Sequence, residues 1–116
     1  MARNMSFALT KEQFKARTKT VTRRLGWYFL KPGDIVRGVE KTQGLKLGEK
    51  LKPLGYIRIL STRQERIDAI TQEDVTAEGF SNLTVAEFVA MLVAHYNVTP
   101  DRFFNRIEFE HLVCDT

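Results

Sequence analysis

At 116 residues the chain suits one hydrophobic core, and a single domain over residues 1–116 is expected. Hydrophobic residues at 43% and charged residues at 28% exclude a disordered composition, and no apolar run approaches the roughly 18 residues that a membrane helix requires. One cysteine, Cys114, rules out an intrachain disulfide, and residues 1–5 lack the apolar stretch of a secretory signal, so the expected location is cytoplasmic, with no membrane partner.

In chain order, residues 5–9 read as a short first strand ending at Thr10. Thr10-Lys11-Glu12-Gln13 reads as a capping box opening a short helix to about Arg17, anchored by Phe14. Lys31-Pro32-Gly33-Asp34 is a turn, since proline fixes one φ and glycine supplies the unusual one. Residues 35–41 alternate Ile35, Arg37 and Val39 against Val36, Gly38 and Glu40, an imperfect two-residue period with apolar groups on both faces, as in a barrel strand. Residues 42–53 form a polar, glycine-bearing, lysine-rich connection expected to be exposed and mobile. Residues 56–61 are the clearest strand, with Ile57 and Ile59 inward and Arg58 outward.

Thr71-Gln72-Glu73-Asp74 opens a second short helix that Gly79 can stop. Thr84-Val85-Ala86-Glu87 is a stronger capping box. Behind it Val85, Phe88, Val89, Leu92 and Tyr96 recur at helical spacing, an apolar stripe expected to pack on a curved sheet containing Ile57, Ile59, Ile107 and Phe109. Thr99-Pro100-Asp101 ends that region and residues 104–113 return as a strand. Strands first, helices inserted and a strand last predict an α+β fold, a mixed barrel with two or three short helices around it.

Chemistry concentrates in Lys19-Thr20-Val21-Thr22-Arg23-Arg24. In a regular strand Lys19 and Thr22 face opposite ways, so they converge only if the backbone turns or bulges between Thr20 and Thr22. A lysine withdrawn from water loses preference for its charged form. It could then deprotonate the Thr22 hydroxyl for nucleophilic attack, with Arg24 stabilising the resulting oxyanion. A solvated basic strand edge would explain the same residues. Trp27-Tyr28-Phe29 offers rings for base stacking or for walling a core. Lysines 41, 46, 50 and 52 could track phosphates or simply confer solubility. Arg106 could pair with an acid at the barrel mouth. His95 and His111 stand alone, and neither a metal-ligand spacing nor a phosphate-binding glycine loop is present, so no metal and no cofactor are expected. Charge is divided along the chain: residues 1–66 hold 16 basic and 5 acidic side chains, residues 67–116 hold 2 and 9. Such asymmetry suits a polyanionic partner, unless the halves interleave and neutralise each other.

As an ordered set, the Lys-Thr-x-Thr-x-Arg segment, Gly33-Asp34, Gly44-Leu45-Lys46-Leu47-Gly48-Glu49 and Asn105-Arg106-Ile107-Glu108-Phe109 resemble the ASCH domain family, small β-barrels of the PUA-like class linked to RNA and nucleoside binding. One branch, the N4-acetylcytidine amidohydrolases, uses a lysine, a threonine and a glutamate. That resemblance implies Lys19 and Thr22 as the first two, and nominates Glu78, with Glu73 or Asp74 as possible alternatives for the acid. The segment 44–49 and Arg23 depart from that branch and look more like the larger, mostly uncharacterised subgroup of phage and bacterial genomes. The implied function is recognition of RNA or a modified nucleoside in a cleft around Lys19, Thr22, Arg24 and Glu78, with Thr20, Arg23, Trp27, Lys46 and Arg106 as further ligand contacts. The alternatives are an amidohydrolase of N4-acylated cytidine or a ribonuclease in the same cleft, and a protein-interaction module. No oligomeric state follows from the sequence.

Overall fold

The protein is described from a computed structural model over residues 3–41, 47–50 and 52–112. Its five strands are β1 (Arg3–Ser6), β2 (Val21–Arg24), β3 (Ile35–Val39), β4 (Pro53–Arg66) and β5 (Phe103–His111). They form one sheet in the order β1-β3-β4-β5-β2, with β1 parallel to β3 and the other pairs antiparallel. β4 is the spine. Residues 53–58 pair with β3 and residues 57–66 with β5, and the β5 register slips between Ile59 and Ser61. Such a bulge bends the strand and raises its twist. The curled sheet is a half-barrel, and the Arg24 guanidinium on edge strand β2 donates to the Ser6 carbonyl on the opposite edge strand, β1.

Phe14, in α1 (Lys11–Lys15), is buried in the main core. It rests directly on Gly38, where an added Cβ would sit 2.5 Å from the ring Cζ. The main core joins Met5, Phe7, Phe14, Leu30, Val36, Ile57, Ile59, Ile107 and Phe109. A second cluster joins Ile67, Ile70, Val75, Phe88, Leu92 and Phe104 beneath α2 (Gln72–Ala77) and α3 (Val85–Tyr96). Of the apolar stripe of α3, Phe88 and Leu92 are buried and Val85, Val89 and Tyr96 half-buried, and they pack against Phe104 and the 67–75 segment rather than against the Ile57–Ile59–Ile107–Phe109 row. Phe104 lies on β5 beyond that row, so one strand serves two cores.

Thr84 and Glu87 form the reciprocal capping box, and the Thr71 oxygen accepts from the Asp74 N–H. Thr10 does not cap. It is buried, α1 follows directly from a 3-10 turn over Ala8–Thr10, and its side chain makes no capping bond. That turn also replaces the second half of the expected first strand. β4 runs well past the expected 56–61 at both ends. The connection at 42–53 falls partly outside the described residues, as do Lys46, Val113 and Cys114.

Candidate functional site

The backbone before β2 settles where Lys19 points. The Lys19 N–H donates to the Gln13 carbonyl, the Thr20 N–H to the Ala77 carbonyl at 2.7 Å, and the Thr20 carbonyl accepts from Phe109 N–H at 2.9 Å. Lys19 thus lies ahead of the strand, strung between α1 and α2, and strand alternation does not govern it. The β2–β5 register runs unbroken from Val21 to Arg24, so a strand start does what a bulge was expected to do. The carboxylate partner arrives at the end of α2. Gly79 takes φ +103, and a Cβ there would lie 2.7 Å from the Gln13 Cβ. Only glycine lets the end of α2 close on α1 and bring Glu78 beside Lys19.

Lys19 Nζ donates to Glu78 Oε1 at 2.8 Å and to the Glu78 carbonyl at 2.9 Å, with both side chains almost fully buried. Arg23 holds the other Glu78 oxygen, Oε2, through NH1 at 3.0 Å. Its NH2 also donates to Glu65 and Asp74, each at 2.6 Å. Arg106 then grips Asp74 through Nε and NH2 at 2.9 and 3.0 Å, a bidentate fork. Arg23 pairs across the sheet with Arg106, and Arg106 with Arg63. Like charges directly opposite destabilise a sheet, and here Asp74 and Glu65 neutralise them, with Glu65 bonded to both Arg23 and Arg63. Basic groups of the first half of the chain and acids of the second thus neutralise each other in part inside the fold.

Burial strips water from Lys19 and lowers its pKa, while the Glu78 carboxylate opposes the shift. The Asp74 carboxyl is held down to about 2, chiefly by its hydrogen bonds from Arg106. Burial also pulls the Arg24 pKa below its ordinary value.

These groups floor one cavity of about 250 Å³, lined by Lys19, Thr22, Arg23, Arg24 and Glu78 together with Ser6 and Thr10. Phe7, Phe80, Phe88, Met91 and Leu92 supply the apolar wall, and His95 also lines it. The Thr22 hydroxyl has no hydrogen-bond partner among the described residues and is open to the cavity. Lys19, Thr22, Arg23, Arg24 and Glu78 are therefore in one place. Other expected contacts lie elsewhere. Trp27 packs on the main core and against Phe29, its turn pinned by the Asn105 amide donating to the Gly26 and Trp27 carbonyls. Thr20 is tied up through its backbone, and Arg106 reaches the cavity only through Asp74 and Arg23. Glu73 is exposed, and Lys46 is outside the described residues. His111 lies beside the site, its Nε2 2.7 Å from the Lys19 carbonyl, with its ring edge-on to Phe14. Sequence reasoning missed Glu65 and the apolar wall. Glu65 sits on a strand face whose partner could be known only from the β4–β5 register. Phe7 belongs to the main core and Phe80 packs on the second, and both also border the cavity.

A curled mixed sheet of five strands with three helices makes an α+β half-barrel, with the cavity bordered by the β1 and β2 edges and by α3. Among solved structures, the fold matches that of an ASCH domain from Lactobacillus crispatus JV V101, with a TM-score of 0.63 and 12% identity over 94% of this chain and 78% of that one. It also matches a protein from Enterococcus faecalis V583 of the family model DUF984, with a TM-score of 0.62 and 18% identity over 97% and 76% of the two chains. The fold is thus ASCH-like. No family model matches the sequence, and no curated protein matches it.

Proposed function

We propose that the cavity binds a nucleoside, modified or not, free or presented by an RNA strand. What supports this is its mixed lining, in which Phe7, Phe80 and Phe88 border the same small space as Lys19, Thr22 and Arg24. A flat aromatic heterocycle needs both: apolar faces for its ring, and a few fixed polar groups for its edge. At about 250 Å³ the space falls just under the roughly 300–1,000 Å³ of drug-sized ligand pockets, which suits one nucleoside rather than an oligonucleotide. Lys19 spends two of its ammonium protons on Glu78 and retains a third; the Thr22 hydroxyl is free to donate or accept. Binding leaves the Lys19–Glu78 pair intact, whereas general-base catalysis requires Lys19 to lose a proton beside a carboxylate that favours keeping it.

The amidohydrolase reading has one specific observation in its favour, the burial that lowers the Lys19 pKa beside an open threonine hydroxyl. Titration with cytidine and N4-acetylcytidine, followed by product analysis, separates the two readings. Under the binding reading both ligands saturate the protein, Lys19→Ala and Thr22→Ala weaken them, and no acetate is released. Acetate release by the unmutated protein, lost in both variants, would replace binding with hydrolysis. No saturable binding and no turnover would favour a protein-interaction module.

A further inference from the structure

Among the described residues, Arg24 is the one cation of the site left without a carboxylate. Lys19, Arg23 and Arg106 are matched by Glu78, Glu65 and Asp74 through direct bonds. Arg24 donates only to the Ser6 carbonyl and lies over the Phe7 ring, 4.7 Å from its centroid. Its Nε is buried with no partner, and its NH1 makes no hydrogen bond among the described residues, although the residue lines the cavity. The Tyr96 hydroxyl and Glu78 sense its charge, as does the Lys19 ammonium, and neither Tyr96 nor Glu78 forms an ion pair with it. A cation drawn out of water beside apolar rings, with most of its donors idle, is costly unless an anion completes it. The β2 strand presents Thr22 and Arg24 on the same face, so an anion on Arg24 lies beside a ligand touching Thr22.

We infer that Arg24 is an anion subsite of this cavity, and that the nucleoside it accepts carries a phosphate group. This rests on the nucleoside reading above and narrows it from a neutral nucleoside to a nucleotide. The phosphate oxygens accept from the idle Arg24 donors, which are stronger for being charge-assisted, while the base meets the apolar wall.

Calorimetric titration of the whole chain with cytidine, cytidine 5′-monophosphate and inorganic phosphate tests this. The monophosphate is expected to bind about tenfold or more tighter than cytidine, consistent with a charge-assisted contact. That ratio should fall near one in Arg24→Gln and be partly restored in Arg24→Lys, which keeps the charge but loses the planar donors. Thermal melts of both variants establish that they are folded; should Arg24→Gln not fold, the unmutated protein and Arg24→Lys carry the comparison. Equal affinity for cytidine and its monophosphate would overturn the phosphate subsite while leaving the nucleoside reading in place. Arg24-dependent binding of inorganic phosphate, with no gain from the nucleoside, would keep the anion subsite and overturn the nucleoside reading. Binding of none of the three would end both.

Discussion

Lys19 and Glu78, 59 positions apart in the chain, are joined through two hydrogen bonds from one ammonium, to the glutamate's carboxylate and to its own carbonyl. The pair therefore fixes both the side chain of Glu78 and the end of the helix that carries it. The two partners are not equivalent. Among the described residues Glu78 pairs with Lys19 and Arg23, whereas Lys19 pairs with Glu78 alone.

That inequality predicts an asymmetry in stability. Glu78→Gln leaves the buried Lys19 ammonium without its counter-charge and removes one of the three carboxylates on Arg23, and should cost about 3–5 kcal/mol. Lys19→Met leaves Glu78 still bonded to Arg23 and should cost less. Urea unfolding of both variants checks the order, and a larger loss for Lys19→Met would contradict the assignment of Glu78 as the hub.

Asp74 makes the same network sensitive to acid. Its folded carboxyl titrates at about 2 against 3.8 for the free group, chiefly because of Arg106. A depressed folded pKa means stabilisation that is complete above 3.8 and lost as pH falls through that value toward 2. Because Asp74 is partly exposed, solvent screening reduces the contribution to about 1 kcal/mol. Asp74→Asn should lower stability at neutral pH and flatten its decline between about pH 4 and pH 2. Unfolding curves across that range read the difference, and an unchanged acid limb in the variant would refute the assignment.

Packing yields a third expectation. Leu92→Ala opens the second core and should cost about 2–5 kcal/mol. Gly38→Ala drives a methyl into the Phe14 ring and should cost about 1–3 kcal/mol. Phe14→Leu should relieve part of the Gly38→Ala loss when the two are combined, because the residues share one contact. Strict additivity of the two losses would show that Phe14 does not press on Gly38.

Local signals carried much of this fold into the sequence. Thr84 and Glu87 announce α3 because their reciprocal bonds depend only on residues three apart. Ile57 and Ile59 announce β4 by alternation. Thr10 misled because a threonine followed three residues later by glutamine has the capping pattern, while its actual environment, burial beside the cavity, is a tertiary fact. Lys19 and Thr22 were singled out by residue type, but what orients them was not legible: the start of β2 is set by the Ala77 and Phe109 backbone bonds. Glu65 could not be found at all without the register that sets it near Arg23.

The central claim, that the cavity between Thr22 and the aromatic wall holds a nucleoside, is tested most directly by amide chemical shifts of the isotope-labelled protein during titration with cytidine. Saturable shifts are expected at Lys19, Thr22, Arg24, Gly79 and the Phe88–Leu92 turn of α3, sharply reduced in Thr22→Ala. Shifts centred instead on Trp27 and Phe29, or none at millimolar cytidine with the protein folded, would contradict it.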